Sequence, residues 1–207
     1  MVEWSIDAFR AVGSTASIVV AVPPGSAHGI AAADDVQVVD GGAARVDSVA
    51  NALAVVETEL VAIHDAARPL LTPELVEDLV ARLESSPEAA GVIAAAPVTD
   101  TIKRVGPGSR PALTPRKGTN AGLVVGETLD RSQLWAAQTP QVFRTAALRE
   151  ALGVVAEQGA AATDEAMLVE GAGGTVLIHP AGVENLKVTT PLDLRLAELL
   201  LAERASA

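Results

Sequence analysis

The chain has no cysteine and no tyrosine, and only two Trp and two Phe among 207 residues. Without cysteine there is no disulfide framework and no thiolate metal site, which fits a cytoplasmic protein. With so few rings, the core must be built from Ala, Val, Leu and Ile, within an apolar content of 49%. Long hydrophobic runs are missing too. None approaches the ~18–20 residues that cross a bilayer, and Met1-Val2-Glu3-Trp4-Ser5 lacks the basic flank and apolar run of a secretory signal. No membrane partner is expected. Cations are in the minority, 15 Lys and Arg against 26 Asp and Glu, for a net charge of −11. That field repels nucleic acid, so no nucleic-acid partner is expected either. A small phosphorylated ligand remains open, because it needs only a local cluster of cations or a metal held by carboxylates.

Several common catalytic signatures are also missing. His28, His64 and His179 fall on separate elements and offer no metal-ligand pair. Gly171-Ala172-Gly173-Gly174 precedes a strand instead of following one, so it reads as a helix stop. No serine sits in a G-x-S-x-G elbow.

What is present is an alternation of short apolar runs and helical segments. Strands are predicted at 17–22, 36–39, 60–64, 91–95 and 175–179, bounded by Gly, Pro or Asp. Helices are predicted at 2–11, 45–56, 73–83, 145–157 and 191–203. Two of them start with Thr at the N-cap, Pro at the first position and an acid in the first turn, at Thr72-Pro73-Glu74 and Thr190-Pro191-Leu192-Asp193. Together they predict one α/β domain over 1–207, a mainly parallel twisted sheet flanked by helices. One region breaks the rhythm. Residues 105–126 are rich in Gly, Pro, Ser and Thr, with Arg110, Arg116 and Lys117 interspersed, between β-like stretches at 101–105 and 123–129. A loop of this length reads as a functional arm, about 101–134, or as a plain surface loop.

Two segments carry chemistry. In Val61-Ala62-Ile63-His64-Asp65-Ala66-Ala67-Arg68-Pro69 an apolar strand ends on a carboxylate, at the sheet edge where open α/β folds bind ligands. Asp65 could hold Mg²⁺ and Arg68 could face an oxyanion. Alternatively, the two residues cap a turn and pair with each other. Gly41-Gly42-Ala43-Ala44-Arg45 is either a close-approach turn for a planar ligand at a helix start or an ordinary strand-to-helix turn.

Read in order, GGAARVDSV, HDAARP, PVTDTIKR, DRSQLWAAQTPQVF, TDEAMLVE and ENLKVTTPLDLRLAE resemble the cytidylyltransferases that act on 2-C-methyl-D-erythritol 4-phosphate in non-mevalonate isoprenoid biosynthesis. The resemblance covers essentially the whole chain and implies a Rossmann-like nucleotidyltransferase fold. It implies transfer of a cytidylyl group from CTP to the polyol phosphate, with release of pyrophosphate. Gly41, Gly42, Ala43 and Ser48 would then face the cytosine and Ala66 the ribose. Asp65 would hold Mg²⁺ or another divalent cation, and Lys187 would lie at the α-phosphate. Arg68, Thr101 and Arg131 would bind the erythritol phosphate, with Thr139 and Thr163 nearby, and Arg131 and Lys187 would carry the catalysis. The arm would clasp a second subunit, so that Thr101 and Arg131 serve the neighbour's site in a homodimer.

The resemblance also implies a strand and a Gly-rich loop with one Arg and one Lys ahead of the helix at Val2, about two dozen residues in all. That strand would be interior to the sheet, and without it neighbouring strands would keep unpaired N–H and C=O groups. The 207 residues alone are therefore expected to form an N-terminally incomplete domain that binds CTP weakly, with no measurable transfer. Two other readings stand beside the family activity. One is a short form that dimerises through the arm without turnover. The other is a cytidylyltransferase for a related polyol phosphate, such as ribitol 5-phosphate.

Overall fold

Buried side chains alternate along the two central strands, and this alternation sets the layers. The computed structural model describes residues 1–26, 35–106, 123–158 and 163–205, with the helical backbone alone for 155–158. Its first half runs α1 (Val2–Ala11), β1 (Ile18–Val22), β2 (Val36–Asp40), α2 (Arg45–Leu53), β3 (Leu60–Ile63), α3 (Pro73–Glu84) and β4 (Gly91–Pro97). Then come β5 (Lys103–Val105), β6 (Val125–Thr128), β7 (Trp135–Arg144), α4 (Thr145–Gln158), α5 (Glu165–Gly171), β8 (Val176–Pro180) and α6 (Pro191–Ala205). The chain divides into two compact units, one of residues 1–95 and 137–207, the other of 96–136. His28 lies outside the described residues.

In the larger unit the strands run in the order β3-β7-β4-β8, beside a separate pair β1-β2. Pairing is parallel in β1–β2 and β4–β8 but antiparallel in β3–β7. Val92 and Ala94 of β4 and Val142 of β7 face α3 through Leu79 and Leu83, all within 2% of full burial. The intervening Ile93 and Phe143 point the other way, onto Leu53 of α2, Leu148 and Ala151 of α4 and Leu168 and Val169 of α5. Period-two alternation thus gives a helix–sheet–helix sandwich. The caps match the sequence expectation. The Thr72 hydroxyl accepts from Leu75 N–H at 3.4 Å with Pro73 at the first helical position. At α6, the Asp193 carboxylate accepts the Thr189 N–H and hydroxyl and the Thr190 N–H at 2.9, 2.8 and 2.8 Å. Those bonds, led by the Thr189 N–H, hold its pKa down to about 2.

Boundaries of most predicted elements moved by one or two residues, that of the helix at 45–56 by three, and a further strand and helix appear. The helix predicted to 56 ends at Leu53, where Val56 N–H turns back to the Leu53 carbonyl at 3.2 Å. The new elements are β7 and α5.

Among the described residues, β1 pairs only with β2, and β3 only with β7. Their free edges line one cavity of about 670 Å³, walled also by Ile6 and Phe9 of α1, Ala52 of α2 and Val76 of α3.

The smaller unit carries an antiparallel ladder, β5 against β6, with a register shift between Arg104 and Val105. Arg104 pairs with Glu127, and Lys103 Nζ donates to Thr128 Oγ1 at 2.7 Å. Most of the arm's loop, with Arg110, Arg116 and Lys117, lies at 107–122, outside the described residues. Trp4 belongs to the larger unit and Trp135 to the smaller, 51% and 39% exposed.

The layers and the cavity predict substitutions of opposite sign. A Cβ on Gly91 would overlap the Phe143 ring, so Gly91→Ala should cost about 1–3 kcal/mol. Ala52→Leu adds apolar volume to the cavity and should raise Tm by about 2–4 °C. Thermal and urea melts of the two variants check both signs; destabilisation by Ala52→Leu would mean that the cavity walls do not yield to filling.

Candidate active site

The residue after β3 and its turn is a carboxylate that the sheet carries to its edge. Asp65 has a side chain 16% exposed, and both oxygens are occupied. Lys187 Nζ donates to Oδ2 at 2.7 Å. Arg45 reaches Oδ1 from the start of α2, with Nη2 at 3.2 Å and Nε at 3.3 Å. Burial disfavours the charged form of Asp65, but the Lys187 hydrogen bond and the charges of Arg45 and Lys187 outweigh it, so its pKa lies below the ordinary carboxylate value. Arg45 is shared. Its Nη1 also pairs with Glu165 of α5, which is 1% exposed and whose Oε2 has no partner among the described residues. Burial works against the Arg45 charge, and the bonds and charges of Glu165 and Asp65 raise its pKa in spite of that.

Beneath Asp65 the polar side chains form a closed circuit. Asp65 N–H donates to Thr139 Oγ1 at 3.0 Å, and that oxygen lies 3.1 Å from His64 Nδ1. His64 Nε2 is 3.2 Å from the Arg68 carbonyl. Arg68 Nη1 donates to the Asn185 carbonyl at 2.7 Å, and Asn185 Nδ2 returns to the Thr139 carbonyl at 2.9 Å. Burial pushes the His64 pKa down to about 4, against the raising effect of its Arg68 bond and the Asp65 charge. Arg68 is 9% exposed, its pKa lowered by burial, and its Nε has no partner among the described residues. It forms no ion pair with Asp65 among the described residues; it ties the strand-end turn to the segment that carries Lys187.

The glycine turn is tied to α2. Gly42 N–H donates to Ser48 Oγ at 3.0 Å, and the same hydroxyl donates to the Ala44 carbonyl at 3.2 Å. A Cβ on Gly42 would overlap that of Asp47, so this close approach requires glycine. Gly42 and Ala43 are exposed, as is Ala66 beyond β3, whereas Gly41 is partly covered and gives its N–H to the Val22 carbonyl at 2.7 Å.

The larger unit therefore brings together Asp65, Lys187, Thr139 and Arg68, with Arg45 linking them to the Gly41–Ser48 turn. Thr163 is exposed just ahead of α5, its Oγ1 3.9 Å from Met167 Sδ. Thr101 and Arg131 belong to the smaller unit. There Arg131 Nη1 donates to the Thr99 carbonyl, and Asp130 accepts Ser132 N–H at 3.0 Å and the Ser132 hydroxyl at 2.7 Å. Sequence reasoning missed Glu165, Asn185 and His64. Glu165 and Asn185 sit inside quoted motifs, TDEAMLVE and ENLKVTT, and that was their only signal.

Among the described residues no three His, Cys, Asp or Glu side chains gather as a metal cage. A single carboxylate flanked by cations fits an ion that arrives on a phosphorylated ligand, since Mg²⁺ is commonly held by one or two carboxylates plus substrate phosphates.

A strand-end carboxylate, a glycine turn at a helix start and a lysine before a capped helix also occur together in a known sequence pattern. The sequence model of the 2-C-methyl-D-erythritol 4-phosphate cytidylyltransferases matches residues 1–203. The chain belongs to this family. The Acidobacterium capsulatum enzyme of that name is 37% identical over 98% of this chain and 83% of its own length. The one from Symbiobacterium thermophilum is 44% identical over 82% of this chain and 65% of its own length. The crystal structure of the Thermus thermophilus cytidylyltransferase superposes with a TM-score of 0.78 at 32% identity, over 96% of this chain and 86% of that one. The α/β architecture is thus that of a cytidylyltransferase, a nucleotidyltransferase class. No helix among the described residues is long and apolar enough to cross a membrane.

The Arg45–Glu165 pair predicts a coupling. Arg45→Met strands a buried carboxylate and should cost about 2 kcal/mol, less than the roughly 3–5 of a fully buried pair because Arg45 is 38% exposed. Adding Glu165→Leu should recover most of that loss. Urea melts of the single and double variants measure it, and additive losses would show that the two side chains are independent.

Proposed function

We propose that this chain transfers a cytidylyl group from CTP to 2-C-methyl-D-erythritol 4-phosphate, releasing pyrophosphate. The observation that carries the reading is Asp65 held between Lys187 and Arg45 at the end of β3, inside a chain that the family pattern spans almost completely. In the reaction an oxygen of the polyol phosphate bonds to the α-phosphorus while the bond from that phosphorus to the pyrophosphate oxygen breaks. Little covalent work falls to the protein; positioning and countercharge do the rest. Lys187 supplies a point charge at the α-phosphate, and phosphate oxygens compete with Asp65 for Lys187 and Arg45. Asp65 would hold Mg²⁺, which when bound offsets triphosphate charge. The exposed turn Gly42–Ala43 and Ala66 would receive the base and ribose, with Gly41 and Ser48 shaping the turn beneath them. Thr139, Thr163 and Arg68 frame the polyol phosphate side, Arg68 from within.

Thr101 and Arg131 would serve a second subunit, with the arm clasping it in a homodimer. Val105, Leu123 and Val125 of the arm unit are 45%, 58% and 58% exposed, an apolar surface suited to such a clasp. Arg131 suits a phosphate because its planar guanidinium can grip two oxygens at once. The substrates and the cysteine-free composition suit a cytoplasmic enzyme.

Three measurements test this reading. Pyrophosphate release should require both CTP and the polyol phosphate; release with CTP alone, or none with both, would count against the reading. In that assay Asp65→Asn should abolish Mg²⁺-dependent turnover while the chain stays folded with a lowered Tm, since Lys187 and Arg45 lose their shared anion; normal turnover would remove Asp65 from the site. Mixing Arg131→Ala with Lys187→Ala subunits should restore part of the activity in heterodimers. Heterodimers that form and stay inactive would place the whole site within one chain.

A further inference from the structure

Like Asn185, the His64 ring is a member of the circuit beneath Asp65 to which the transfer reaction gives no task. Its bonding directions are nevertheless fixed by its neighbours. The Thr139 hydroxyl oxygen lies 3.0 Å from Asp65 N–H, which can only donate, so that oxygen accepts there. The Thr139 hydroxyl proton is then free to go to His64 Nδ1, at 3.1 Å, which must be unprotonated to accept it. On the far side Nε2 faces the Arg68 carbonyl at 3.2 Å, and a carbonyl can only accept, so Nε2 carries the proton. One neutral tautomer satisfies all three bonds. The ring is braced from α1 by Phe9, with centroids 5.8 Å apart and planes at 74°.

We propose that His64 is a positioning residue: as the neutral Nε2–H tautomer it orients the Thr139 hydroxyl, which holds the Asp65 backbone and so aims the Asp65 carboxylate between Lys187 and Arg45. Through Nε2 the ring also fixes the Arg68 carbonyl, and Arg68 in turn holds the Asn185 backbone, two residues ahead of Lys187. Both partners of the Asp65–Lys187 bond are thereby referred to one ring. This rests on the proposed role of Asp65, but the first measurements below read the circuit whether or not CTP is the ligand.

The test uses the 207-residue chain, and amide exchange is its first readout. Long-range ¹H–¹⁵N spectra of His64 should show the Nε2–H tautomer. His64→Ala should speed exchange of the Asp65 amide at least about tenfold while core amides such as Val92 and Phe143 keep their rates. His64→Asn, whose side-chain oxygen can stand where Nδ1 accepts, should restore most of the Asp65 protection. His64→Gln, which replaces the Nε2 donor instead, should not. Titration with Mg²⁺ and CTP followed by NMR shifts should give an affinity about tenfold weaker in His64→Ala, the usual loss when a group supporting a ligand-holding side chain is removed. An Nδ1–H tautomer would overturn the proposal. So would a His64→Ala chain with an unchanged Asp65 amide, or equal rescue by Asn and Gln. If His64→Ala does not fold, the wild-type tautomer and the Asn–Gln contrast decide alone. Loss of Asp65 protection with unchanged Mg²⁺–CTP affinity would separate the two claims: the circuit would stand, and the ligand-aiming role, with the reading of Asp65, would fall.

Discussion

A carboxylate that is only 16% exposed needs its charge answered by side chains from other segments, and the architecture around Asp65 follows from that demand. β3 is four residues long and delivers Asp65 two positions past its end. The answering charges come from the start of α2 and from the stretch before α6, 20 residues upstream and 122 downstream. Arg45 can lean toward Asp65 because Glu165, buried at the start of α5, takes its other edge. Four segments distant in sequence are thus held by alternating charge, anion to cation to anion to cation, from buried Glu165 at one end to the exposed Lys187 at the other.

The buried circuit below plays the complementary part. Charged side chains at a surface wander; backbone groups pinned by buried hydrogen bonds do not. Asn185 is 4% exposed and donates through Nδ2 to both the Thr139 carbonyl and Gln138 Oε1, at 2.9 Å each. Gln141, 1% exposed, bridges in the same way from β7 to Asp164 at 2.9 Å and to Ala166 N–H at 3.3 Å. The polar residues of β7 therefore do for the loops what Val142 and Phe143 do for the helices. One strand anchors both the core and the site.

Much of this was legible in the sequence, and the gaps have physical reasons. Apolar runs bounded by turn residues located five strands, and Thr-Pro-acid starts located α3 and α6, because those signals act within a few residues. β7 escaped because Gln138, Thr139, Pro140 and Gln141 interrupt its apolar pattern; their burial is satisfied by partners more than 20 residues away, which no local periodicity records. α5 spans seven residues, too short for a helical period to stand out. The motifs named Asp65 and Lys187 as candidates, and the structure pairs the two side chains at 2.7 Å. The inward turn of Arg68 was not, since a buried guanidinium follows its acceptor, here a carbonyl 117 residues on. His64 was passed over because it was weighed only as a metal ligand, whereas its position calls for a neutral ring with one donor and one acceptor.

The scarcity of aromatic side chains has a practical side once the chain is seen as two units. Trp4 reports from one and Trp135 from the other, both partly in water, and no tyrosine emission overlaps theirs. Replacing either tryptophan with phenylalanine leaves a single intrinsic fluorophore. Its quenching by iodide or acrylamide then reads one unit at a time, with no dye attached. Changes in the arm unit and melting of the sandwich can thus be followed as separate optical events, one in each single-tryptophan variant.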